Sequence, residues 1–327
     1  MKIRMRTALV VFAALALTTV LPVGLARASG NDQVAHKTMA TKVFGLDPST
    51  SGNNPEGVAW DDGSESFFVG TVGTGTIYRA TLRDAKLRPF ITPDPAAPAE
   101  SAVGMKVAGG KLFVAGGATG RIYVYAIKTG ALLARFETGT GGFLNDLVVT
   151  EEGDVYVTDS FRPLLWHLTP SMIRAGSGTP QSINVGPEIA YTANQFNLNG
   201  IVSRNGGREL IVVSTFSKSL FRIGIDPAKT AARKITKIHA PQLAGDGLLI
   251  DRGRLLVVTG SPAAVTVLNL SRHDSRARVE RVLTDPSLLG PSTIARAENR
   301  YLVVNADFAT NTQPYTVSAL ARGDSHH

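Results

Sequence analysis

The sequence predicts an all-β protein: a six-bladed β-propeller built from four-stranded blades. Three observations predict it. Short apolar runs broken by Gly, Asp, Asn and Pro follow one another from residue 40 onward, with no long helical period. These runs recur every 40 to 50 residues or so, the period of propellers and solenoids. A lone strand stands before the first copy, and the last copy is one strand short.

In chain order, residues 1–28 come first. Lys2, Arg4 and Arg6 precede the apolar run TALVVFAALALTTVLPVGL, and ARA at 26–28 offers small residues around a cleavage point. This pattern predicts a secretory signal peptide cleaved near Ala28, leaving a chain that is exported and not membrane-held. The remainder, 29–327, is expected to be a single propeller domain with its core at about 40–320. The formal charge is 34 − 26 = +8, but four of the basic residues lie in 1–28, so the remaining 299 residues carry +4. That charge is scattered, which argues against a nucleic-acid partner. There is no Cys, so thiol chemistry, disulfides and Cys-zinc sites are excluded.

The lone strand is TKVFGL at 41–46. Six copies follow: PEGVAWDDGSESFFVG from 55, AVGMKVAGGKLFVAG from 102, LNDLVVTEEGDVYVTD from 144, LNGIVSRNGGRELIVVS from 198, GDGLLIDRGRLLVVTG from 245 and PSTIARAENRYLVVNA from 291. Each holds two apolar strands around a turn. A third strand follows in every copy, and a fourth in the first five, from KLRPFI to ARVERVL. The sixth copy lacks a fourth strand, and TKVFGL is expected to supply it, closing the ring and removing a free edge. The insertion LTPSMIRAGSGTP at 168–180 is expected to hold a turn of helix, and TPDPAAPAE at 92–100 a loop.

Aligning the copies brings one position forward. The second residue of each is Glu56, Val103, Asn145, Asn199, Asp246 or Ser292, and the next is Gly57, Gly104, Asp146, Gly200, Gly247 or Thr293. Equivalent positions in a propeller lie at one level around its axis. Two carboxylates and two amide oxygens are thus expected to face one centre. Paired carboxylates repel unless a cation offsets them. Hard oxygen donors favour Ca²⁺, so Glu56, Asn145, Asn199 and Asp246 are the expected metal ligands. The six His share no ligand spacing, and no Gly-rich nucleotide fingerprint or Gly-x-Ser-x-Gly elbow is present.

PEGVAW, LNDLVV, LNGIVS and GDGLLI resemble the senescence-marker-protein and gluconolactonase family, whose six-bladed relatives include diisopropyl-fluorophosphatases and paraoxonases. The resemblance covers 40–320 as architecture and these four motifs in detail. It implies a divalent cation on the four residues, with Asp246 as base or nucleophile. Asp146 is expected to orient Asn145 or to assist the base. The resemblance also implies hydrolysis of lactones or related esters. Sugar-lactone members carry Arg two residues before the first asparagine. Phe143 stands there in this chain, followed by Leu144, and both are expected to contact an apolar acyl or aromatic substrate. The resulting expectation is a monomeric, secreted, Ca²⁺-dependent lactonase or esterase. The alternative from the same residues is a secreted propeller that binds a small ligand or protein partner, with the cation structural.

Overall fold

The computed structural model describes residues 39–94 and 100–323. The expected signal peptide, most of the loop at 92–100 and the final four residues lie outside the described residues.

The described residues are all-β, with one short α-helix among them, Pro170–Ala175, in the 168–180 insertion. Thr169 caps that helix by accepting the Met172 N–H, a proline opens it, and Gly176 ends it in the left-handed conformation. Each repeat forms a four-strand meander. The inner strands are Pro55–Asp61, Met105–Ala108, Leu144–Val149, Leu198–Arg204, Gly245–Asp251 and Pro291–Ala297. Four repeats make separate four-stranded sheets. In the last repeat, Lys42–Leu46 pairs antiparallel with Thr316–Ala321, from Lys42 opposite Ala319 to Gly45 opposite Thr316. The same strand also meets Lys86–Ile91 in parallel through Gly45 and Leu46, which joins the first and last repeats into one eight-stranded sheet. This arrangement of packed four-stranded sheets is that of a β-propeller.

Burial follows strand periodicity. Phe67 and Phe68 are consecutive and fully buried, yet Phe67 packs with Phe44 and Ala295 while Phe68 packs with Ala102 and Met105. A strand buried on both faces must be apolar at both parities, which is why FFV, LFV, VYV, IVV and LVV show no alternation. Each of the six apolar clusters draws its side chains from two consecutive repeats, and one of them joins the last repeat to the first.

The inner strands touch backbone to backbone. A Cβ on Gly57 would lie 1.9 Å from the Val103 carbonyl oxygen, and one on Gly200 would lie 2.3 Å from that of Asp246. Only glycine permits that approach. Between the last and first repeats, the Ser292 and Thr293 hydroxyls both donate to the Glu56 carbonyl, at 2.8 and 2.5 Å.

Candidate metal centre

Five of the six inner strands carry a register shift in the same place. It falls between Pro55 and Val58, Leu144 and Leu147, Leu198 and Ile201, Gly245 and Leu248, and Pro291 and Ile294. A bulge of this kind unpairs two residues and re-aims their side chains. Glu56, Asn145, Asn199 and Asp246 all sit inside a bulge.

Their surroundings are alike. Glu56, Asn145 and Asn199 are 4%, 4% and 5% exposed, and Asp246 is intermediate. Asn145 donates from Nδ2 to the Ser160 hydroxyl at 3.1 Å, and Ser160 donates onward to the Leu198 carbonyl at 2.6 Å. Asn199 repeats the device one repeat later, donating to Thr215 at 3.1 Å, which donates to the Gly245 carbonyl at 2.6 Å. The hydroxyl fixes the amide nitrogen and so aims the oxygen the other way. Among the described residues, Glu56 Oε2, Asn145 Oδ1, Asn199 Oδ1 and Asp246 Oδ1 are buried oxygens that accept no hydrogen bond from the protein. Buried polar atoms are rarely left unpaired, and four acceptors at one repeat position call for an electropositive partner.

The charges agree. Burial, then Asp246, then Asp146, push the Glu56 carboxyl well above the usual carboxylate range, against the pull of Lys106. Burial and Asp146 push Asp246 up to about 7, while a hydrogen bond from Asn199 holds it down. Three carboxylates against one ammonium leave a formal −2, which a divalent cation would neutralise. No group of three or more His, Cys, Asp or Glu gathers as a ligand cluster among the described residues. The donor set reaches four only through its two amides, a hard-oxygen composition that fits Ca²⁺.

One expected site residue takes another place. Leu144 is fully buried in the apolar cluster with Phe113, Leu147 and Val155, so it cannot contact substrate. It precedes the bulge and keeps the core-facing parity of its strand. Asp146 stands where four other repeats have glycine, and its carboxylate spans to neighbouring strands. Oδ1 accepts from Lys106 Nζ at 3.0 Å and from the Leu147 N–H at 2.8 Å, while Oδ2 accepts from the Ile201 N–H at 3.4 Å. With these donors it is 1% exposed. Phe143 is half-buried at the site's edge. His167 is an outer structural residue held by Asp154 and Gln181, and exposed His239 bridges to Arg276 on the outer strand, away from the inner strands.

Sequence reasoning missed Lys106 and two aromatic residues. Lys106 is a charge inside an otherwise apolar inner strand, and that was its signal. Phe161 and Phe196 lie on separate loops, and the fold brings both rings against Phe143, at 5.5 and 5.2 Å between centroids.

No protein-family profile and no curated protein matches the sequence. Solved structures do. A gluconolactonase from Xanthomonas campestris superposes with a TM-score of 0.60 at 17% identity, covering 89% of this chain and 93% of that one. Regucalcin from Agrobacterium tumefaciens, a calcium-binding protein, gives 0.62 at 15% identity, covering 86% and 95%. A virginiamycin B lyase from Staphylococcus aureus gives 0.55 at 12%, covering 86% and 99%. The chain thus shares the fold of the senescence-marker-protein and gluconolactonase-like propellers.

Proposed function

We propose that this protein is a divalent-cation-dependent hydrolase of lactones or related esters, built as a closed six-bladed propeller and using Ca²⁺ where the inner strands converge. The observation that carries this reading is the set of four buried, protein-unpaired oxygens at one repeat position. The gluconolactonase and calcium-binding neighbours support the same chemistry on the same fold. The exported, monomeric state expected from the sequence is part of the proposal, with a small-molecule lactone or ester as partner.

Glu56, Asn145, Asn199 and Asp246 would hold the cation. When bound, it would polarise the scissile carbonyl and offset the negative charge that develops on its oxygen. The protein's own residues do the rest. Asp246 is the most accessible member of the set, which suits it to the role of general base toward water. It takes a proton from water as the water oxygen bonds to the carbonyl carbon. It returns that proton to the alkoxide oxygen when the ester C–O bond breaks. Lys106 and Asp146 keep the strands in register beneath it.

The test is hydrolysis of a lactone panel by residues 29–327 with Ca²⁺, with chelator, and by Asp246→Asn. Turnover that needs both cation and Asp246 is expected. A folded, Ca²⁺-binding protein that turns over none of the panel would favour the non-catalytic binding reading.

A further inference from the structure

Phe143 lies two residues before Asn145, and Phe196 three residues before Asn199, so both stand on the segments that lead into inner strands carrying candidate ligands. Phe161 belongs to the turn after Val155–Asp159. In a four-strand meander that turn is at the same end as the start of the inner strands. The three rings touch pairwise, with centroids 5.5, 5.2 and 5.3 Å apart. Phe161 and Phe196 remain 41% and 46% exposed.

This exposed cluster is held from below. Asp159 is fully buried. Its Oδ1 accepts the backbone N–H groups of Phe143 at 3.0 Å and of Phe161 and Arg162 at 3.1 Å. Its Oδ2 accepts from Arg162 Nε at 2.7 Å and Trp166 Nε1 at 3.2 Å. Asn197, 1% exposed, ties the Phe196 loop down by donating to the Ser160, Thr192 and Gln195 carbonyls. Single exposed apolar residues are ordinary on a protein surface, but a rigid three-ring platform beside a polar centre is a recognition feature.

We propose that Phe143, Phe161 and Phe196 form the acyl-side subsite, taking the alkyl or aryl portion of a substrate whose carbonyl lies at the Glu56–Asn145–Asn199–Asp246 oxygens. This rests on reading that centre as a cation-dependent ester site. Phe161 and Phe196 are then the specificity-determining residues, and Asp159 is a positioning residue. The rings offer no hydrogen-bond partner, so a polyhydroxylated acyl chain would desolvate its hydroxyls against them without return. Apolar lactones and esters are the matching class.

The test uses straight-chain alkanoates from acetate to octanoate as probes, titrated calorimetrically into the Ca²⁺-loaded protein. The carboxylate seats at the cation and the tail lies on the platform. Affinity is expected to rise about fourfold per methylene until the platform is covered. Phe161→Ser/Phe196→Ser should flatten that dependence while leaving Ca²⁺ affinity and thermal stability near wild type, because both side chains are half-exposed. Phe308→Ser, 50% exposed and outside the cluster, should leave the dependence intact. A flat chain-length series in wild type, or an unchanged slope in the double variant, overturns the subsite. Ester turnover without chain-length dependence sinks the subsite alone. Chain-length-dependent binding without any turnover sinks the hydrolase and keeps the subsite.

Discussion

Asn145 and Asn199 each donate an amide hydrogen to a hydroxyl and leave the oxygen bare. Replacing either by Ala keeps the strand but removes one donor oxygen, and Ca²⁺ affinity measured calorimetrically should fall at least about tenfold. Unchanged affinity would remove that residue from the ligand set. Lys106 sets up an opposite pair of effects. Lys106→Met leaves buried Asp146 without its counter-charge, so the metal-free protein should lose about 3 kcal/mol or more in denaturant unfolding. The same change makes the centre more negative, so Ca²⁺ affinity should rise; a fall would refute the role assigned to this lysine. The shared repeat position of Glu56, Asn145, Asn199 and Asp246 was legible in the sequence because the repeat register alone places it. The direction of Leu144 was not, because a bulge begins just after it and breaks the alternation on which direction is read. Nor was the platform, since the proximity of Phe161 to Phe196 is set by the packing of two neighbouring repeats.

At the scale of the element, the bulged inner strand unites fold and site. Its glycines allow backbones to approach closely, and three of the four candidate ligands, Glu56, Asn199 and Asp246, stand immediately before one. Gly57→Ala forces a Cβ to 1.9 Å from the Val103 carbonyl, a backbone atom that cannot swing aside. The cost belongs at the upper end of the roughly 1–3 kcal/mol of overpacking, with weakened Ca²⁺ binding because Glu56 moves with the strand. A wild-type Tm in this variant would show that the strands are farther apart than described. The loops have their own keystone in Asp159. Asp159→Ala strands the Arg162 guanidinium and unties Phe143 and Phe161, and should lower stability by about 3–5 kcal/mol. The strands and their order were readable from apolar runs. This network was not, because its donors come from a turn, a preceding loop and the next strand.

At the scale of the whole molecule, the centre couples pH, metal and stability. Asp246 holds its proton up to about pH 7 in the folded, metal-free protein, against an ordinary value near 4 when unfolded. Between those values the folded chain binds more protons, so stability contributed by this group falls as pH rises from about 4 to about 7. Glu56 shifts in the same direction. Ca²⁺ held as proposed would favour the deprotonated form and should reverse the trend. At a free concentration of 100 times Kd it adds about 2.7 kcal/mol. Scans of Tm against pH, with chelator and with Ca²⁺, should therefore diverge toward neutrality, and parallel curves would argue against a cation at these carboxylates.

The strand Lys42–Leu46 seats against Thr316–Ala321. A chain emerging from the ribosome holds that first strand long before its partner exists. Intermediate-length nascent chains must therefore carry an unpaired strand edge throughout synthesis, exposed to chaperones and to neighbouring nascent chains. In the folded protein these two strands are neighbours. Joining Lys42 to Ala321 through a short linker and opening the chain in a turn of another repeat should give a circular permutant with the same fold, with a different strand left waiting.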